Sequence, residues 1–172
     1  MQYNFKDFNP DKHDHFKALT VKQPFANDLV NPAYKDIDGV IYGVKSIEVR
    51  SQRTGYRGDL LICSSVSPVF PGMMSGTALG FVELYDIKPI AEFTPEDWDK
   101  TRIPRDKRAE ITKGYGWLMR NPRRVIEMPV RGQLGIFNIA FTKDTIMEYP
   151  RQVIIDKKGW EQIQEAQRKG KK

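Results

Sequence analysis

The stretch KSIEVRS, residues 45–51, constrains the fold more than any other. Ile47 and Val49 fall on one face of an extended strand, and Ser46, Glu48 and Arg50 on the other. One half-buried strand therefore carries an acid and a base about 6–7 Å apart along the same face. Lys45 stands at its entry, and Arg53, Tyr56 and Arg57 lie in the polar turn QRTGYRGD that follows. That turn leads into LLICSSV, an apolar strand with Ser64 and Ser65 at its end. ALGFVELYDIKPI and GQLGIFNIAFT read as two further strands, and RRVIEMPV as a fourth, which Pro129 places at an edge or an end.

Short helices separate these strands. Pro24 suits a first helical position, where a missing amide proton costs nothing, so a helix starts there with Phe25, Leu29 and Val30 inward and stops near Asn31-Pro32. Thr94, Pro95 and Asp97 form a capping signal ahead of Trp98, and Pro104 breaks that helix. RDKRAEITKG predicts a shorter helix ending at Gly114. The C-terminal KKGWEQIQEAQRKGKK predicts a helix anchored by Trp160 and Ile163, then a basic tail. Strands far apart in sequence with helices between them indicate an α+β domain around a small barrel or curled sheet. Residues 1–17 lack a period and read as an extension, 18–149 as the domain, and 150–172 as the helix and tail.

The chain of 172 residues fits one domain, and 40% hydrophobic residues supply a core. The net charge of +6 is uneven: residues 101–131 hold nine Lys or Arg against three Asp or Glu. Such a run attracts phosphate, or is a solvated basic face. Cys63 is the only cysteine, which excludes an intramolecular disulfide and reads as a small buried apolar residue. No apolar run approaches the ~18 residues of a membrane span, and the first twenty residues are too polar for a secretory leader, so a cytoplasmic location is expected. His13 and His15 lack a third and fourth ligand, and no Walker loop, dinucleotide glycine pattern or HExxH is present. No metal and no cofactor are expected.

The candidate site residues each have two readings. Glu48 and Arg50 either pair to brace the strand, or read a base edge and a phosphate. Lys45 is a cation for phosphate, or, if buried, a base or nucleophile with lowered pKa. Lys22 and Gln23 precede the first helix, where anions bind well. Arg53, Tyr56 and Arg57 suit single-stranded nucleic acid, or form a plain hairpin tip. Ser64 and Ser65 line a cleft or merely end a strand, and Arg123 and Arg124 contact phosphate or solvent.

LTVKQPFA, GVKSIEVRS, YRGDLLICSS, ALGFVELYD and NPRRVIEMPVRGQLGIFN, in that order over residues 18 to 141, resemble the ASCH domain of the PUA-like superfamily. The resemblance rests on Lys45, Glu48 and Arg50 as KxxExR, on Lys22-Gln23-Pro24, and on the closing strand Gly132 to Asn138. It implies a small β-barrel flanked by short helices, with a cleft that receives RNA, DNA or a modified nucleoside. Lys22, Lys45, Glu48 and Arg50 would form its floor, and Arg53, Arg57, Arg123 and Arg124 its rim. Some ASCH-like proteins are hydrolases, either deacylating acylated cytidines or cleaving RNA. The deacylase pattern has a threonine where this chain has Glu48, so that hydroxyl is absent, and Glu96 and Glu110 are the candidates for its distant glutamate. The expected function is RNA binding. The alternatives are a hydrolase of modified nucleosides or RNA using Lys45 and Glu48, and a protein-interaction module using the C-terminal helix.

Overall fold

A computed structural model describes residues 2–151, 153 and 155–170. It is an α+β fold dominated by one mixed sheet. The strands are β1 (Gln2–Tyr3), β2 (His13–Val21), β3 (Pro32–Lys35), β4 (Ile41–Gly43), β5 (Ile47–Arg50), β6 (Gly58–Ser64), β7 (Thr77–Pro89), β8 (Tyr115–Pro129) and β9 (Ile136–Thr142). The helices are α1 (Phe25–Val30), α2 (Pro95–Lys100), α3 (Arg105–Arg108) and α4 (Lys157–Gly170). Seven strands run in the order β1-β9-β2-β6-β7-β8-β5, and β3 and β4 form a separate pair. Only β2 and β6 are parallel in the large sheet.

The apolar run in β6 reflects burial on both faces. Leu60 and Ile62 join one core cluster, with Ala26, Leu29 and Val30 of α1, while Leu61 and Cys63 join another on the opposite side. The second cluster draws Ala18, Phe81, Val125, Ile139 and Phe141 from β2, β7, β8 and β9. Each large aliphatic side chain so buried contributes about 1.5–3 kcal/mol. The alternation in β7 breaks at Gly80, where the pairing with β8 shifts register. A Cβ there would sit 2.5 Å from the Arg123 carbonyl oxygen and 2.9 Å from Val30, so only glycine lets β7, β8 and α1 meet this closely.

Three readings of the sequence need correction. Residues 2–3 and 13–17 are not an extension: they belong to β1 and β2, and β2 pairs with β9 from His13↔Thr142 to Leu19↔Ile136. The expected boundary at residue 17 falls inside a strand, whose outer half is polar and so shows no apolar period. β8 starts at Tyr115, well before RRVIEMP, and passes through Asn121-Pro122 at an irregular step where Asn121 has φ 55°. RDKRAEITKG gives only the one-turn α3. The capping box at Thr94 forms as read: Asp97 N–H donates to Thr94 Oγ1 at 3.1 Å, and Thr94 N–H to Asp97 Oδ2 at 2.9 Å. Helix α4 docks through Trp160, stacked on Tyr34 at 6.2 Å; residues 171 and 172 of the basic tail lie outside the described residues. Among the described residues, no helix is long and apolar enough to cross a membrane.

Candidate functional site

Three long-range hydrogen bonds fix the entry to β5. The amide of Val44 donates to Asn31 O, that of Lys45 to Asp28 O, and that of Ser46 to Lys100 O, each at 3.0 Å. Lys45 is thereby wedged between the end of α1 and the end of α2, and it is only 1% exposed. Its ammonium group has three neighbours. Nζ donates to Thr101 O at 2.7 Å, lies 3.2 Å from Glu48 Oε1, and sits 4.6 Å from the centre of the Phe25 ring. Burial lowers its pKa, and Glu48 and Asp28 oppose that shift. Burial likewise raises the pKa of the Asp28 carboxyl.

Glu48 stands between two cations. Its Oε2 is 3.3 Å from Arg50 Nε, and its side chain is 12% exposed. Arg50 donates from Nη2 to Thr20 O at 2.7 Å and lies over the Trp117 ring. The Arg50 Nε proton is not aligned on Glu48, so Nε is a buried polar atom without a hydrogen bond, and Thr20 Oγ1 is another. Gly132 packs on Thr20, where a Cβ would come within 2.7 Å of Oγ1. Buried polar atoms without partners are costly, and their residues, Thr20 and Arg50, line a cleft.

That cleft, ≈ 470 Å³, is lined by Lys22, Lys45, Glu48, Arg50 and Ser65, with Thr20 and Val49 beside them. Its apolar walls come from Phe25, Ile103, Ile111 and Leu134. The lining thus combines a row of charge with apolar side chains. Lys22 is exposed at the mouth with no salt bridge among the described residues.

The structure does not bring the other candidates here. Gln23 is buried as a latch: Nε2 donates to Met74 O at 2.9 Å and Oε1 accepts from Asn27 N–H at 3.0 Å. Ser64 is buried against Thr77, and the Ser65 hydroxyl, although at the cleft, donates to Ser67 O. Arg57 folds back onto the carbonyls of Thr54 and Tyr56, Tyr56 donates to Asp59 O, and Arg53 covers Tyr115. Arg123 binds Asp59 at 2.7 Å and Glu148 at 3.3 Å beside a different hollow, and Arg124 is held by Asn31 and Glu127. Five of the nine cations of the run 101–131 are paired in this way, since Arg105 and Arg108 also meet Asp99, and Arg120 meets Glu83, whereas Arg102, Lys107, Lys113 and Arg131 make no salt bridge among the described residues. Part of the linear charge is offset by acids distant in sequence, Asp59 from β6, Glu83 from β7 and Glu148 beyond β9.

Sequence reasoning missed Thr20, Phe25 as a wall, Thr101, Ile103, Ile111 and Leu134. Ile103 and Ile111 carried a signal, as lone apolar residues in a polar, basic run. Of the two possible sources of distant acid, Glu96 lies at α2 paired with Lys157 and Lys100, and neither Glu96 nor Glu110 lines the cleft. Among the described residues no group of three or more His, Cys, Asp or Glu is arranged to hold a metal ion. His15 instead meets Asn138 at 2.9 Å, and His13 Nδ1 accepts from the Asn9 amide. Burial pushes the Cys63 thiol up to about 12. The chain matches no family model and no curated protein.

Proposed function

We propose that this protein is an ASCH-type, PUA-like domain that binds single-stranded nucleic acid, RNA in particular, by taking a nucleobase into the cleft at Arg50. The carrying observation is the row of Lys45, Glu48 and Arg50 along an apolar-walled hollow, with the exposed Lys22 beside it. A ring slides between Phe25, Ile103 and Ile111. Arg50 donates to an acceptor edge, Glu48 accepts from an exocyclic amino group, and Lys22 takes a phosphate. Lys45 touches no ligand in this scheme; it holds Glu48 in place.

Two features support a barrel-like closure of the sheet. The second core cluster is shared by five strands. The chain after β9 turns back onto β8, with Ile126 N–H donating to Met147 O and Tyr149 N–H to Arg124 O. The test of function is a titration of single-stranded RNA at increasing salt. The affinity of a phosphate-contacting site falls linearly in log salt, and a flat or absent response refutes the reading.

One observation favours a second reading as a hydrolase of modified nucleosides: Glu48 faces the cleft with a desolvated amine behind it. Glu48 would then move the proton. A panel of acylated nucleosides and short RNAs with wild type and Glu48→Gln separates the two. Turnover lost in the variant supports hydrolysis, and no turnover in either leaves binding as the function. The docking-helix alternative is weakened by α4 itself, whose Trp160 is spent on Tyr34 of the same chain.

A further inference from the structure

The loop 131–135 stands between two hollows. On one side is the Arg50 cleft. On the other is a groove of ≈ 830 Å³ against β1, and Gln133 and Leu134 line both. Both volumes fall in the range of about 300–1,000 Å³ that holds small ligands. The base of the loop is pinned. Gln2 Oε1 accepts from Arg131 N–H at 2.7 Å, Gln2 Nε2 donates to Arg131 O at 3.3 Å, and Gly132 packs on Thr20. The tip is free, and Leu134 is 99% exposed. Among the described residues no acid lines the groove. The Arg131 side chain is exposed and makes no salt bridge or hydrogen bond among the described residues, while Phe5, 44% exposed, is braced by Phe8 and His15.

We propose that this groove is a second nucleotide subsite, continuous with the Arg50 cleft, for the next nucleotide of the same single strand. Leu134 is the wedge between the two bases, Arg131 binds the phosphate that joins them, and Phe5 offers a stacking face. Apolar wedges between base steps and aromatic platforms beside cations are recurrent in nucleic-acid recognition. An anionic strand suits a groove with a free arginine and no carboxylate. The inference rests on reading the Arg50 cleft as a nucleic-acid site, and it sets the footprint at two nucleotides or more.

The test compares nucleoside 5′-monophosphates, followed by NMR, with single-stranded oligoribonucleotides of increasing length, on the full chain. Leu134 is almost fully exposed, and the exposed Arg131 side chain makes no salt bridge or hydrogen bond among the described residues, so Leu134→Ala and Arg131→Ala are expected to fold. Both are expected to weaken oligonucleotide binding about fivefold or more, and Arg131→Ala, which lies outside the lining of the Arg50 cleft, to leave mononucleotide binding unchanged. Arg131→Ala is also expected to lower the slope of log affinity against log salt by about one. Wild-type oligonucleotide affinity in both variants, with Arg50→Ala still defective, overturns the second subsite and leaves the cleft standing. No RNA binding by the wild type at any length overturns both.

Discussion

The ε-amino group of Lys45 donates to the carbonyl oxygen of Thr101 at 2.7 Å, joining the root of β5 to the C-terminal end of α2 inside the protein. The cation that sequence offers as a ligand contact is tied into the interior while it also lines the cleft with Glu48 and Arg50.

Removing that tie is expected to be costly. Lys45→Ala strips Glu48 of one partner, leaves Thr101 O without a donor and opens a void, at a cost of about 3–5 kcal/mol. Urea denaturation measures it. A loss below about 1 kcal/mol would show that the buried pair contributes nothing to the fold.

Alkaline pH gives an independent check on Lys45. Its folded pKa is depressed, so between that value and 10.5 the unfolded chain binds more protons than the native one. The contribution is fully present above 10.5 and is lost as pH falls through the folded value. Tyr85, whose burial raises its pKa to about 12, acts in the opposite sense: its contribution is present below 10 and is lost as pH rises through about 12. The difference in stability between wild type and Lys45→Met isolates the lysine, and is expected to move in favour of wild type as pH rises toward 10.5. A difference flat in pH would contradict the burial.

Helix α4 is held by Trp160 on Tyr34, by Lys157 to Glu96 at 3.2 Å, and by Arg102 to Gln164 at 3.1 Å. Trp160→Ala is expected to free it, raising amide exchange throughout 157–170. The Lys157 hydrogen bond holds the Glu96 pKa below its usual 4.5. Its contribution is present above 4.5 and lost as pH falls through the lowered value, so exchange in α4 is expected to rise in acid. Unchanged protection in the variant would remove Trp160 as the anchor.

Cys63, wholly buried with a thiol pushed up to about 12, is expected to resist alkylation at neutral pH until the protein is unfolded. Mass spectrometry after iodoacetamide treatment reads this directly; rapid labelling of the native chain would show that β6 opens locally.

What the sequence made legible was local. The alternation in KSIEVR puts Glu48 and Arg50 together, and TPED forms the capping box it spells. What it hid was set by distant partners. Nothing near Lys45 announces Phe25 and Thr101 closing over it. Arg123 looks like a free cation until β8 aligns it with Phe81 and brings Asp59 and Glu148 within reach. β1 and the outer half of β2 lack an apolar period because their hold on the sheet is backbone pairing to β9, which leaves no mark on side-chain type.

The most direct test of the central claim is the affinity of single-stranded RNA for Arg50→Ala and Arg123→Ala beside the wild type, with both variants confirmed as folded. Arg50→Ala is expected to lose tenfold or more in affinity together with base preference, since a guanidinium reading a base edge contributes about 1–3 kcal/mol of discrimination. Arg123→Ala, at a different hollow and already paired with Asp59, is expected to bind within twofold of wild type. Wild-type binding by Arg50→Ala, or an equal loss in both variants, would contradict the assignment of the site to this cleft.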